Sequence, residues 1–229
     1  FGPKSREMIS KISNDDFSND KFKFGTGKFI MINGVKVWAQ RLSYVGELGF
    51  ELYVDSSLAK DLYEILIEEG KNFKLSNCGM HAMDIMRMES GFVHWGHDIS
   101  PEENQYQAGL NFAISFKKPF DFIGKSKLLS IKDKKIDKKF TMFVLKDSKP
   151  GSPLPLHEEP IYLEDKIIGK TTSGNYSFNY NKNLSFGYIN YDISNENLKN
   201  KNFYIEIEKI KYPANYLQSP LKRHNFKII

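Results

Sequence analysis

The sequence predicts an α+β layer followed by an all-β module, either a barrel or a sandwich, and three observations carry that prediction. Residues up to about 135 mix helical and strand periods. Beyond a Lys-rich run at 132–139 the apolar period falls to two. Gly, Pro, Asn and Asp clusters then break the second half into short segments, as strands joined by turns require. The expected domains are therefore 1–135 and 136–229. With 229 residues, 40% hydrophobic and 14% aromatic, the chain has apolar material for such cores, and disorder is not the default reading.

Pro3 to Ile12 reads as a short helix, with Pro in its first turn and Met8, Ile9 and Ile12 on one side; Ser13 to Asp20 is a polar loop. Phe29 to Ile32 and Val35 to Leu42 flank Asn33-Gly34, a pair that tolerates positive φ at both positions, so they form a hairpin. The hairpin leads into Ser43-Tyr44-Val45-Gly46-Glu47-Leu48-Gly49-Phe50-Glu51. Gly46 and Gly49 can take angles closed to residues with a Cβ, which permits a tight turn and lets a flat ligand approach the main chain. Phe50, Leu52 and Val54 alternate with Glu51 and Tyr53, a strand pattern that puts Glu51 on the face away from the core.

Asp55-Ser56-Ser57 supplies caps for a helix with Leu58, Leu62, Ile65 and Leu66 on one face, which Gly70 is expected to stop. A second helix runs from about Met80 to Glu89, before Gly91, and Phe92 to Asp98 is a loop or short strand. Phe120 to Ile131 includes a short helix, and Lys132 to Lys139 reads as a solvated linker. The strands expected beyond it are Phe140 to Leu145, Pro160 to Leu163, Lys166 to Thr172, Leu184 to Ile189 and Phe203 to Tyr212.

Composition narrows the function classes. A net charge of +5 and a pI near 9.0 suggest nucleic acid, but only four of the 33 basic residues are arginines: Arg6, Arg41, Arg87 and Arg223. Arg is the usual reader of guanine edges, so a Lys, Asn and Ile excess is more simply a compositional bias of the source genome. The single Cys78 excludes an internal disulfide, and no apolar run reaches the roughly 18 residues of a membrane span. The expectation is a cytoplasmic protein in a reducing compartment, with neither membrane nor nucleic acid as partner. Phe1-Gly2-Pro3 has neither an initiator Met nor a signal peptide, so the chain reads as a piece of a longer one.

Several motifs in order, Gly2-Pro3-Lys4-Ser5-Arg6, Tyr44 to Glu51, Cys78 to Gly91, Trp95-Gly96-His97-Asp98 and Pro213-Ala214, resemble the glycine-cleavage T-protein superfamily. Within it, the chain is more similar to the tetrahydrofolate-binding part of dimethylglycine and sarcosine dehydrogenases. The resemblance implies a folate-binding layer, incomplete at its N-terminus, with a C-terminal β domain over the folate cavity. An upstream segment would close the same sheet and carry the family's catalytic Asp, so no catalytic residue is assigned in this chain, and the fragment alone is expected to be inactive. The implied activity is tetrahydrofolate-dependent transfer of a one-carbon unit, aminomethyl or methyl, from a methylated amine or an aminomethyl donor. Flavin would belong only to a partner domain or subunit. A non-catalytic folate-binding subunit and a basic RNA-binding module are the alternatives.

The resemblance points to the positions of Glu51, Tyr44 and Met83 as folate contacts, and His97 joins them because histidine so often serves in sites. A pterin edge offers an amino group and a ring N–H side by side, and the Glu51 carboxylate can accept both; alternatively, Glu51 is a solvated strand residue and Tyr44 a packing aromatic. Met83 stands where T-proteins carry a folate-binding Arg, and a thioether cannot replace a guanidinium. His97 and Asp98 form a polar pair lining the cavity, or His97 is a satisfied loop residue. Asp84 and Arg87, spaced i,i+3 on one helix, read as structural. Cys78-x2-His81-x12-His94-x2-His97 imitates zinc-ligand spacing, but a helix near 15 Å long separates the two pairs, too far for bonds of about 2.0–2.3 Å. Gly46-x-x-Gly49 precedes a strand rather than a helix and is not a phosphate loop.

Overall fold

The computed structural model describes residues 1–190 and 195–221 and packs them into two units, Phe1–Phe92 and Val93–Leu221. In the first, β1 (Gly27–Ile32), β2 (Val35–Gln40) and β3 (Glu51–Tyr53) form an antiparallel sheet in that order. Asn33 and Gly34 have φ of 41° and 88°, so the expected two-residue turn sets the register that pairs Ile32 with Val35. Ile30, Ile32, Val37 and Ala39 then face inward together, with Ile9, Ile12, Phe17, Phe22 and Leu62 packed in the same core. Each fully buried aliphatic side chain contributes about 1.5–3 kcal/mol. Phe50, Leu52 and Val54 also pack on this core, which leaves Glu51 and Tyr53 on the other face of β3.

The helices differ from expectation in instructive ways. The first, α1, is only Ser5–Ile9, because the Ser10 hydroxyl donates to Arg6 O at 2.8 Å and the chain leaves through single turns toward Ile12. Asp55 caps a 3-10 turn, Ser56–Leu58, by accepting from Ser57 N, and α2 (Ala59–Gly70) continues from it. Gly70 does not stop α2 by a left-handed turn. Its φ is −59°, the chain runs on through Lys71–Phe73, and Lys74 takes the left-handed conformation at φ 60°. The glycine is needed for a different reason, since a Cβ there would stand 2.5 Å from Leu75 Cδ2. By contrast α3 (Met80–Glu89) ends as predicted at Gly91, whose φ is 74°. Gly91 N–H donates to Met88 O and Phe92 N–H to Arg87 O, a Schellman ending.

In the second unit α4 (Lys125–Ile131) precedes six strands: β4 (Lys138–Leu145), β5 (Pro160–Leu163), β6 (Lys166–Ser177), β7 (Lys182–Asn190), β8 (Phe203–Ile207) and β9 (Ile210–Leu217). They close into an antiparallel barrel ordered β4-β7-β6-β5-β8-β9, which decides between barrel and sandwich and leaves no open sheet edge. Phe143, Ile161, Phe203 and Ile205 are at 0–1% exposure in its core. The single strand expected over Phe203 to Tyr212 is in fact a hairpin, turned at Glu208 and Lys209 with φ of 49° and 67°. Its two-residue turn holds no glycine, so the sequence carries no marker for it. β9 also runs through Pro213, and β6 continues past Thr172 across a bulge.

The expected Lys-rich linker is partly structure. Lys138 and Lys139 begin β4, Asp137 accepts from Gln107 Nε2 at 2.5 Å, and the Lys138 ammonium meets Glu103 at 2.5 Å. Desolvation pushes the Glu103 carboxyl up, but bonds from Lys138 and Ser100 outweigh it and hold the group below the ordinary glutamate value. A depressed carboxylate adds stability above its ordinary pKa and loses it as pH falls through the folded value. Glu103→Gln should therefore lower the urea midpoint at pH 7 and flatten its decline between about pH 5 and 3. Parallel acid limbs for the two proteins would show that Glu103 carries no such linkage.

Candidate functional site

The loop between β2 and β3 is fixed from inside. Ser43 Oγ accepts from Glu47 N at 3.0 Å and from Val45 N at 3.4 Å, closing a turn in which Gly46 has φ 67°. Val45 and Leu48 are buried at 3% and 1%. Ser90 Oγ at the end of α3 donates to Val45 O, while Gly2 N and Ser5 Oγ donate to Leu48 O. Gly49 serves close approach instead of an unusual φ: a Cβ there would lie 2.1 Å from the Phe1 ring. An anchored loop of this kind holds its flanking side chains, Tyr44 and Glu51, without reorganisation.

Tyr44 lies nearly parallel to Phe92, with ring centroids 6.3 Å apart and planes 11° apart. Glu51 is half-buried on the outer face of β3 and accepts the Tyr53 hydroxyl at Oε2, 2.6 Å away. The bond to Glu51, and next the carboxylate's charge, push the Tyr53 phenol above its ordinary value. Met83 is half-buried on α3. Four positions further along, the Arg87 guanidinium is 1% exposed and donates through Nε and Nη2 to Asp84 Oδ1, and through Nη1 to Phe92 O. This pair locks the end of α3, in line with the structural reading of the i,i+3 spacing.

A cleft of about 580 Å³ opens in the same unit, lined by Pro3, Met8, Phe50, Leu52, Leu66 and Phe73 among others. It is on the core side of β3, and neither Tyr44, Glu51 nor Met83 lines it. His97 belongs to the second unit. It is exposed, and its ring stacks on His94 at 4.3 Å. Asp98, next in sequence, is buried and accepts from His94 N, Thr172 Oγ1 and Ser173 Oγ. The neighbouring Trp95 is 65% exposed. Among the described residues no three His, Cys, Asp or Glu are grouped to hold a metal ion, and no helix is long and apolar enough to cross a membrane.

Residues 1–118 match the GCVT N-terminal domain, and residues 138–222 match the glycine cleavage T-protein C-terminal barrel domain. The chain belongs to the glycine-cleavage T-protein family. It is similar to human mitochondrial dimethylglycine dehydrogenase, at 34% identity over 96% of this chain and 25% of that protein. It is equally similar, at 34%, to the formaldehyde-forming 4-methylaminobutanoate oxidase of Paenarthrobacter nicotinovorans, over 96% of this chain and 26% of that one. The aminomethyltransferase of Halothermothrix orenii is also 34% identical, over 83% of this chain and 52% of its own length. The chain thus spans about a quarter of the dehydrogenases and oxidase and about half of the aminomethyltransferase. In fold it resembles the crystal structure of the glycine cleavage system aminomethyltransferase T from Bartonella henselae, with a TM-score of 0.80 over 97% of this chain and 58% of that one, at 19% identity.

In this T-protein family chain one residue was not legible as a site residue beforehand, and a second has bonds that its sequence position does not show. Tyr53 fixes one Glu51 oxygen; the signal was the Glu-x-Tyr spacing, which puts both side chains on one face of a strand. Asp98, expected in a polar pair with His97, also accepts from β6 hydroxyls 74 and 75 residues away, a distance over which sequence carries no local signal.

Proposed function

We propose that this T-protein family chain is the folate-binding part of a tetrahydrofolate-dependent one-carbon transferase. Tyr44, Glu51 and Met83 are the contacts assigned to the first unit, and His97 the one assigned to the second. The observation that supports this reading best is Glu51, a carboxylate pre-positioned by Tyr53 on the open face of β3 beside an anchored loop. Its two oxygens suit the paired N–H donors of a pterin edge. Tetrahydrofolate would supply the nitrogens that take up the carbon unit, and the protein would orient it. Met83 is the poor fit, because its thioether offers no charge to a folate carboxylate. The donor is proposed as a methylated amine or an aminomethyl group, with any flavin on another domain or subunit. Calorimetric titration with 5-formyltetrahydrofolate tests the reading, and no detectable heat at high micromolar ligand counts against it.

Met83 also favours a second reading, a subunit that binds a folate-like ligand without catalysis. An RNA-binding module has less support, because Arg6, Arg41 and Arg87 are engaged internally with Asn19, Phe22 O and Asp84. A salt-dependent RNA titration alongside the folate one separates it.

We further propose a domain junction in the 132–139 run, of which residues 132–137 lie in the gap between the two family matches and Lys138 and Lys139 begin β4. Limited tryptic digestion should cut there first. A first cut within Phe140 to Tyr212 would overturn the boundary.

A further inference from the structure

Asp98 is 1% exposed, although Trp95, Gly96 and His97 in the same turn are exposed. Burying a carboxylate is costly unless it is well hydrogen-bonded. Asp98 accepts the His94 backbone N–H at 2.9 Å, the Thr172 hydroxyl at 2.5 Å and the Ser173 hydroxyl at 2.8 Å. Thr172 and Ser173 are adjacent in β6, and in a regular strand adjacent side chains point to opposite faces. The β6–β7 register shifts between Thr171 and Ser173, so Thr172 is an extra residue with no cross-strand partner in that ladder. This bulge lets two consecutive hydroxyls reach one carboxylate. Thr171, just before it, donates to the Glu159 carboxylate instead.

We propose that Asp98, gripped by the bulged pair Thr172 and Ser173, is a positioning residue for the His94–His97 turn. Within the turn the backbone bonds run at short range: Gly96 N–H to Ile99 O, and His97, Asp98 and Ile99 N–H to His94 O. The buried carboxylate ties that small unit to a barrel strand, and so gives exposed residues a fixed place on a rigid scaffold. The consequence for ligand binding rests on the assignment of His97 as a folate contact.

The test uses the 229-residue chain with two paired substitutions. Thr172→Val with Ser173→Ala removes both hydroxyls; Thr172→Ser with Ser173→Thr retains them. Hydrogen exchange is read at Gly96, His97 and Asp98 and across β4, β7 and β9, and 5-formyltetrahydrofolate affinity is read by calorimetry. Removing the hydroxyls should speed exchange in the turn about tenfold or more and leave the barrel strands within about twofold. It should weaken folate affinity about tenfold, and the hydroxyl-retaining pair should restore both readouts. Unchanged exchange in the turn, or loss of protection throughout the barrel, overturns the positioning role. A loosened turn with unchanged affinity overturns its link to the ligand, while a Glu51 effect on the same ligand leaves the folate reading standing. Failure of the wild-type chain to bind folate overturns that reading and the ligand link together, and the exchange result still decides the clamp.

Discussion

Glu51→Gln should weaken binding of 5-formyltetrahydrofolate about 10- to 100-fold. The substitution keeps size and one acceptor oxygen but removes the charge and the second acceptor of the proposed pterin fork. Hydrogen bonds to charged groups contribute about 1.5–3 kcal/mol, and about 1.4 kcal/mol is a factor of ten in affinity. The amide oxygen can still accept from Tyr53, so the side chain keeps its place on β3. Stability should change by less than about 0.5 kcal/mol, because Glu51 is outside the apolar core formed by Phe50, Leu52 and their neighbours. Parallel calorimetric titrations of wild type and variant decide the matter: an affinity within about twofold of wild type would make Glu51 an ordinary strand carboxylate.

What the sequence revealed depended on whether the determining interaction was local. The Asn33-Gly34 hairpin, the alternation around Glu51 and the end of α3 at Gly91 were all legible, because a turn or a helix end is decided by the few residues that form it. Gly70 misled for the opposite reason. Its requirement comes from the Leu75 side chain folding back on it, which has no helix-stop signature. The Glu208-Lys209 turn lacked the glycine that marks such hairpins, and β9 runs past the expected end at Tyr212 through Pro213. At the candidate site, Tyr44, Glu51 and Met83 were picked out by family resemblance and His97 by its residue type; spacing alone left each with an ordinary structural explanation. The bulge that lets Thr172 and Ser173 share Asp98 depends on the pairing of β6 with β7, and pairing is a property of the folded sheet.

Phe143→Ala should destabilise the barrel by about 3–5 kcal/mol, the usual cost of emptying a buried aromatic site. Phe143 is 0% exposed in β4, and its ring packs edge-on against Phe203 at 5.2 Å and Tyr216 at 6.2 Å. Such aromatic pairs add about 0.5–1.5 kcal/mol beyond the area they bury. The site cannot easily collapse around an alanine, because β4 is hydrogen-bonded to β7 on one side and β9 on the other, and closure of the barrel fixes the spacing of all three. Against a typical stability of about 5–15 kcal/mol, a loss of this size should shift the urea midpoint substantially at an unchanged slope. Phe112→Ala supplies the contrast: that ring is 81% exposed, and its removal should cost within about 0.5 kcal/mol. If Phe143→Ala costs no more than Phe112→Ala, the ring does not pack in a closed barrel core, and the strand order that places it there is wrong.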